Sequence, residues 1–195
     1  MGPEAVPPQL RPRLLGNESN FMDLTFSVGD KVVYPNHGVG IIEQISSRSN
    51  GVRMERFYMV KFTGTSLKVS VPFSNVGTVG LRKVVKNGEI QKVLNFLSDG
   101  STDNSADWKE RFKENSEKMR TGTLLETAEV LKGLLMLNQT KPLSFREKKM
   151  LERAKFLLIT ELAMAKNSEE AEIEALLLKS LAKCKLKFPD FSEDA

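Results

Sequence analysis

The chain of 195 residues has one cysteine, Cys184, and one histidine, His37. A single thiol excludes an intramolecular disulfide and a cysteine-rich zinc site. Cys184 falls late in a helical pattern, where a free buried or half-buried thiol is expected. A single histidine excludes the paired-histidine zinc motifs of hydrolases. No apolar run approaches the roughly 20 residues that cross a bilayer. The opening MGPEAVPPQLRPRLLGNESN lacks the unbroken apolar core of a signal peptide. A cytoplasmic protein without metal or membrane anchor is the expectation.

Catalytic motifs are missing as well. There is no phosphate-binding loop and no serine in a nucleophile elbow. Gly38-Val39-Gly40 is followed by a strand pattern and not by a helix, so it is no dinucleotide fingerprint. His37 stands between Pro35-Asn36 and Gly38, a turn composition, and nothing in the sequence points to the partner acid or nucleophile a general base needs. Acidic residues are plentiful, but they fall on helix starts and solvated faces. No enzyme and no cofactor are expected.

What is present is a globular composition, 40% hydrophobic and 28% charged, with a mild net charge of +4. Residues 26–82 hold seven Lys/Arg against three acids, and the remainder is near neutral with clustered cations. Such a distribution permits a nucleic-acid partner without requiring one.

Residues 1–24, with prolines at 3, 7, 8 and 12, read as an extension without fold, and Met22 is a candidate alternative start. From Phe26 the pattern is β: KVVYP (31–35), VGIIEQIS (39–46), MERFYMVKF (54–62) and LKVSVP (67–72), with Asn50-Gly51 favouring a tight turn. Four or five short strands in so few residues predict a small, strongly curved SH3- or Tudor-like barrel that leans on the C-terminal half of the chain. The period then changes to 3.6, with helices expected at about 89–98, 108–120, 124–137, 145–164 and 169–183. Capping boxes are expected at Asp107/Glu110, Thr123/Glu126 and Ser144/Glu147. The fold class is therefore α+β, divided into an extension (1–24), a barrel (25–80), a compact helical domain (81–185) and a flexible tail (186–195). No repeat and no heptad seam appears, so a monomer is expected.

Two stretches of the helical half combine charge with aromatic or apolar residues. In DWKERFKENSEKMR (107–120), Trp108, Phe112 and Met119 share one stripe, flanked by Lys109, Lys113 and Arg120 on one side and by Arg111 and Lys118 on the other. Core packing is the simpler reading for Phe112 and Met119. Trp108, the first helical residue, is placed where a side chain points past the helix end as easily as into the core. An apolar wedge among cations is what unstacking a DNA step requires. By spacing alone, core remains the simpler reading for Trp108 too. In SFREKKMLERAKFLLITELAMA (144–165), Met150, Ala154, Leu157, Leu158 and Leu162 form a buried face, with Arg146, Lys149 and Arg153 as a cationic stripe and Lys148 and Lys155 elsewhere on the helix. Such a stripe is most simply a solvated face, or else a track for a phosphate backbone.

The stretches FSVGDKVVYPNHGVGIIEQI, VSVPFSNVGTVGLRKVV and DWKERF…LLETAEVLKGLL…LSFREKKMLERAKFLLITELAMA together resemble the CarD/CdnL family of bacterial transcription regulators, over about residues 24–183. The first half also resembles the polymerase-interacting module of the transcription-repair coupling factor, without that protein's helicase motors. The resemblance implies a Tudor-like domain that docks on the RNA polymerase β subunit. It implies a helical domain lying over promoter DNA at the upstream edge of the bubble, where a tryptophan matched by Trp108 wedges into the minor groove. The open complex formed with the principal sigma factor holoenzyme would be stabilised, and the protein would be cytoplasmic and nucleoid-associated through polymerase.

Arg48 matches a basic residue the family uses against β, and Ser70 replaces a second one, with Lys68 on the same strand face. Lys109, Arg111 and Lys113 match a cationic neighbourhood of the wedge, and Lys148, Lys149, Arg153 and Lys155 match a basic helix that also bears Arg146. His37 and Gly38 match a structural turn. Two other functions compete: a sequence-specific DNA-binding repressor acting without polymerase, and a protein adaptor that never touches DNA.

Overall fold

The computed structural model describes residues 26–35, 37–49, 51, 54–99 and 108–189. The expected extension, the Asp107 cap, Asn36, Asn50 and the end of the expected tail lie outside the described residues.

The order of elements is β1 (Lys31–Tyr34), β2 (Gly38–Ser49), β3 (Met54–Phe62), β4 (Lys68–Pro72), a 3-10 turn (Phe73–Asn75), α1 (Val76–Val79), β5 (Arg82–Lys83), α2 (Asn87–Ser98), α3 (Trp108–Thr121), α4 (Leu124–Thr140), α5 (Phe145–Lys166) and α6 (Glu170–Ala182). The class is α+β: a five-stranded antiparallel sheet in the order β4-β3-β2-β1-β5, followed by helices. The expected strands are present, with β2 running three residues beyond the expected Ser46. The five long helices lie where the 3.6 period put them, within a few residues at each end. Both β5 and the single turn of α1 are additions. Two residues carry no period of their own, and β5 exists only by pairing with β1, Val32 opposite Lys83 and Val33 opposite Arg82.

Alternation builds the sheet's core. Tyr58, Val60 and Phe62 of β3 point to one face, with Val32, Ile42 and Val71 from neighbouring strands and Phe26, Val76 and Leu81 from the connections. A bulge between Ile42 and Gln44 bends the sheet. At Gly40 a Cβ would come within 2.8 Å of the Lys61 carbonyl, so only glycine permits this approach of β2 to β3. Aromatic pairs fill the small core: Phe26 meets Tyr58 edge-on at 5.3 Å, and Tyr58 stacks on Phe73 at 4.0 Å.

The helical core is aliphatic. Leucines of α4, α5 and α6, among them Leu131, Leu134, Leu158, Leu162, Leu177 and Leu181, are buried together with Ile90, Val93 and Leu97 of α2. On α5, Ala154, Leu157, Leu158 and Leu162 are buried as expected, while Met150 is half-buried. Thr123 and Ser144 cap α4 and α5 with their hydroxyl oxygens, accepting from the amides of Glu126 and Glu147. A buried cation, Lys132 of α4, donates to the carbonyls of Phe96 (2.8 Å) and Asp99 at the C-terminal end of α2. Cys184, half-buried as expected, lies 3.0 Å from the same Asp99 oxygen.

Sheet and helices meet along a seam built by the Tyr34–Gly38 turn and β5. The His37 amide donates to the Tyr34 carbonyl (2.9 Å), and the ring packs edge-on against Tyr34. His37 is thus a turn residue. Gly38, at φ +94°, has its vacant Cβ position 3.3 Å from the ring of Phe156 and 3.7 Å from Leu157, both on α5. Beside it Val33 and Val39 pair across β1 and β2 and are buried, though neither belongs to the sheet's core cluster. Gly122, between α3 and α4, has φ +73° and a vacant Cβ position 2.6 Å from the Pro35 ring. Arg82 of β5 closes the seam. Its guanidinium donates twice to the Glu161 carboxylate of α5, at 2.5 and 2.8 Å, and also to the Gly122 carbonyl. Glu161, whose side chain is 4% exposed, also accepts from the Val85 amide at 3.2 Å.

Candidate functional site

Two surfaces collect the residues singled out in the sequence. The first is the outer face of β2, β3 and β4. The register sets Arg48 opposite Glu55, Ser46 opposite Phe57, and Met59 between Gln44 and Ser70. With alternating side chains, Arg48, Phe57, Met59, Lys68 and Ser70 lie on the face away from Tyr58 and Val60. Arg48 is exposed, its guanidinium carbon 5.6 Å from the Phe57 ring centroid. The exposed Ser70 hydroxyl lies 3.7 Å from the Met59 sulfur. Lys68 is engaged locally by an ion pair of 2.6 Å with Glu43, and its ammonium holds the Glu43 carboxyl below the ordinary glutamate value. β4 is an edge strand among the described residues, where one row of its backbone groups has no strand beside it.

The second surface is the end of the bundle where α3 and α5 begin. Trp108 is the first residue of α3, and its side chain lies outside the described residues. Arg111, one turn later, lies 3.3 Å from Oε1 of Glu147 on α5. Glu147 is also the capping carboxylate of α5, accepting from the Ser144 amide (2.9 Å) and hydroxyl (2.7 Å) through Oε2. Burial pushes its carboxyl up, but the Ser144 hydroxyl and amide together with Arg111 overcome this and hold it below the ordinary value. That hub links the first turn of α3 to the first turn of α5.

The remaining cations divide by environment. Lys109 and Lys113 on α3 are exposed, Lys113 beside a groove lined also by Glu110, Glu114, Glu117, Lys118 and Glu126. Arg146 is exposed on the first turn of α5, and Lys148 is half-buried. Lys149 pairs with Glu152 at 3.0 Å and lies 5.8 Å from the Phe145 ring centroid. Arg153 is half-buried over the Phe156 ring at 5.2 Å, and burial lowers its guanidinium from its ordinary value without discharging it. Lys155 pairs with Glu174 of α6 at 2.5 Å and sits 4.5 Å from the Phe188 ring, tying the helices together. It stands nine residues beyond Arg146, roughly 13 Å along the axis. The structure thus gathers Lys109, Arg111, Arg146, Lys148 and Lys149 near one end of the bundle and sets Lys155 apart.

Four residues of consequence were missed in the sequence. Arg82 and Glu161 form the seam, yet nothing in their spacing links positions so far apart. Lys132 reads as a surface lysine until the end of α2 is placed over it. Phe145 had a signal: an aromatic directly after the Ser144 cap, as Trp108 directly follows Asp107. Among the described residues no acidic, cysteine or histidine cluster is arranged to hold a metal ion. Nor is any helix among them long and apolar enough to cross a membrane.

Comparison with known proteins matches residues 26–85 to the CarD-like/TRCF RID domain and residues 92–178 to the CarD C-terminal domain. The chain is 33% identical over 150 residues to the "Putative transcription factor YdeB" of Bacillus subtilis (strain 168), covering 77% of this chain and 98% of that protein. The first match spans the sheet through β5, and the second runs from α2 into α6. The chain therefore belongs to the CarD family of non-enzymatic transcription regulators, with an RNA polymerase-interacting module at its N-terminal side and a CarD helical domain after it.

Proposed function

We propose that this regulator docks on the RNA polymerase β subunit through the outer face of β2–β4 and stabilises the open promoter complex formed with the principal sigma factor. In this reading Arg48, the neighbouring Phe57 and the β4 edge make the protein contact, with Lys68 and Ser70 at its side. The α3 and α5 helix starts then lie against promoter DNA at the upstream fork. Trp108 is the wedge; Lys109, Arg111, Lys113, Arg146, Lys148, Lys149, Arg153 and Lys155 supply the surrounding positive charge, the exposed ones reaching phosphate directly.

The observation that carries this reading is the seam. Arg82 grips Glu161 and Gly122 at once, near the C-terminal ends of α5 and α3, so the sheet is anchored to the two helices whose first turns carry the cations. A few clustered cations give weak, salt-sensitive DNA binding. Tethering through polymerase raises the local concentration of DNA, so that weak contacts suffice. Unstacking costs a few kcal/mol in intact duplex, and less where the strands have begun to part. A wedge that fits only the melted state shifts the equilibrium by its differential affinity, with no chemical step.

The test is open-complex lifetime measured with purified polymerase holoenzyme. Wild-type protein is expected to lengthen it, and Trp108→Ala to bind polymerase normally but lengthen it little. Equal lifetimes with wild-type and Trp108→Ala protein would overturn the wedge.

A further inference from the structure

Phe145 is the most exposed large hydrophobic side chain among the described residues, at 75%. The capping box that begins α5 does not use it, since Ser144 and Glu147 satisfy one another. It lies two residues before Glu147, and Trp108 lies three before Arg111, while Arg111 and Glu147 are joined. With a rise of about 1.5 Å per residue, both aromatic residues stand within roughly one helical turn of the same ion pair. The chain thus sets two aromatic residues at the first positions of two adjoining helices.

The surroundings of Phe145 specify the partner's chemistry. Arg146 and Lys149 are exposed next to it, with Arg153 a further turn along. The acids nearby are engaged: Glu147 by Ser144 and Arg111, Glu152 by Lys149. A naked apolar ring inside a cationic rim suits a polyanion that carries flat rings of its own. Unpaired nucleotides fit that description, because every base has a face that stacks on an aromatic side chain while its phosphate meets the cations. Intact duplex, with its bases already stacked, does not.

We infer that Phe145 is a second aromatic contact to promoter DNA, stacking on a base of a separated strand next to the Trp108 helix tip. This rests on the proposed function above and deepens it, by assigning one aromatic to opening the fork and the other to holding what has been opened.

The experiment uses full-length protein, polymerase holoenzyme and a promoter carrying 2-aminopurine at successive positions of the upstream bubble edge. Wild-type protein should quench at least one unpaired position, and Phe145→Ala should relieve that quenching and shorten open-complex lifetime roughly five-fold or more. Phe145→Tyr should retain both effects, whereas Phe145→Leu, apolar but without a π-face, should lose them. The side chain is so exposed that thermal unfolding should be unchanged in all three variants. If Phe145→Ala keeps the wild-type lifetime while Trp108→Ala shortens it, the inference falls and the proposed function stands. If neither substitution matters, both fall. Wild-type behaviour of Phe145→Leu would reject stacking, and loss of polymerase binding by Phe145→Ala would show that a protein, not DNA, covers the ring.

Discussion

The sheet and the helical bundle are stabilised by different means. The sheet's core is thin and relies on aromatic contacts, Phe26 on Tyr58, Tyr58 on Phe73 and Tyr34 on Phe62. Its outer face carries the exposed Arg48 and Ser70 instead of adding to that core. The bundle buries leucines from four helices, anchors α2 with the buried Lys132, and joins α3 to α4 through Lys118 and Glu129 at 2.8 Å. A short, strongly bent sheet encloses too little apolar area to stand securely alone, whereas helices of 12 to 22 residues can enclose a core among themselves. The seam therefore matters more to the sheet than to the bundle.

Glu161→Ala is the sharpest way to break that contrast. It leaves the Arg82 guanidinium without its carboxylate and removes an acceptor from the Val85 amide. Losing the carboxylate of this partly buried pair, with Arg82 still held by the Gly122 carbonyl, is expected to cost about 2 kcal/mol or more. Hydrogen exchange should then show amides of β1 and β5 losing protection while those of α4 and α6 keep theirs. Equal loss throughout would mean that the two regions stand or fall together.

Gly122→Ala attacks the same seam through sterics. A methyl group would collide with Pro35, and the positive φ adds backbone strain. A cost of roughly 2 kcal/mol is expected in denaturant melts, with the sheet again the first to open.

Glu147→Gln should cost about 1 kcal/mol or more near neutral pH, since the glutamine oxygen can keep the Ser144 cap while its amide nitrogen, a donor, replaces the charged acceptor opposite Arg111. Its pH dependence has a definite sign. The folded-state carboxyl is held below the ordinary glutamate value, so its contribution is present above that range and is lost as pH falls through the lowered value. Stability measured against pH should show a shallower acid limb in the glutamine variant. An unchanged limb would mean that this ion pair contributes nothing measurable to the bundle.

Arg48→Glu should have the smallest effect on folding, within about 0.5 kcal/mol, because the residue is exposed beside Phe57 and its repulsion of the cross-strand Glu55 is solvent-screened. Under the proposed function it should nonetheless weaken capture of the polymerase β subunit substantially. Full retention of that capture would remove the outer sheet face from the docking surface.

Much of this architecture was legible in the residues. Alternation of valines, isoleucines and aromatics marked β1 to β4, and the switch of period marked α2 to α6. The hydroxyl caps Thr123 and Ser144 fixed where α4 and α5 begin. The candidate surfaces were legible only as lists of charges. Sequence spacing could not separate Lys155, which ties α5 to α6, from Arg146, which is exposed at the helix start. Nor could it show that Lys68 is held by Glu43 across the sheet.

Local signals settled the class of fold and the order of its elements, because periodicity, capping and turn chemistry act over a few residues. The tertiary structure alone decided the seam and the fate of each cation. Gly38 faces Phe156, Arg82 finds Glu161, and Arg111 finds Glu147 across 118, 79 and 36 residues of chain. Such pairings depend on how whole elements pack, and no short stretch of sequence encodes that.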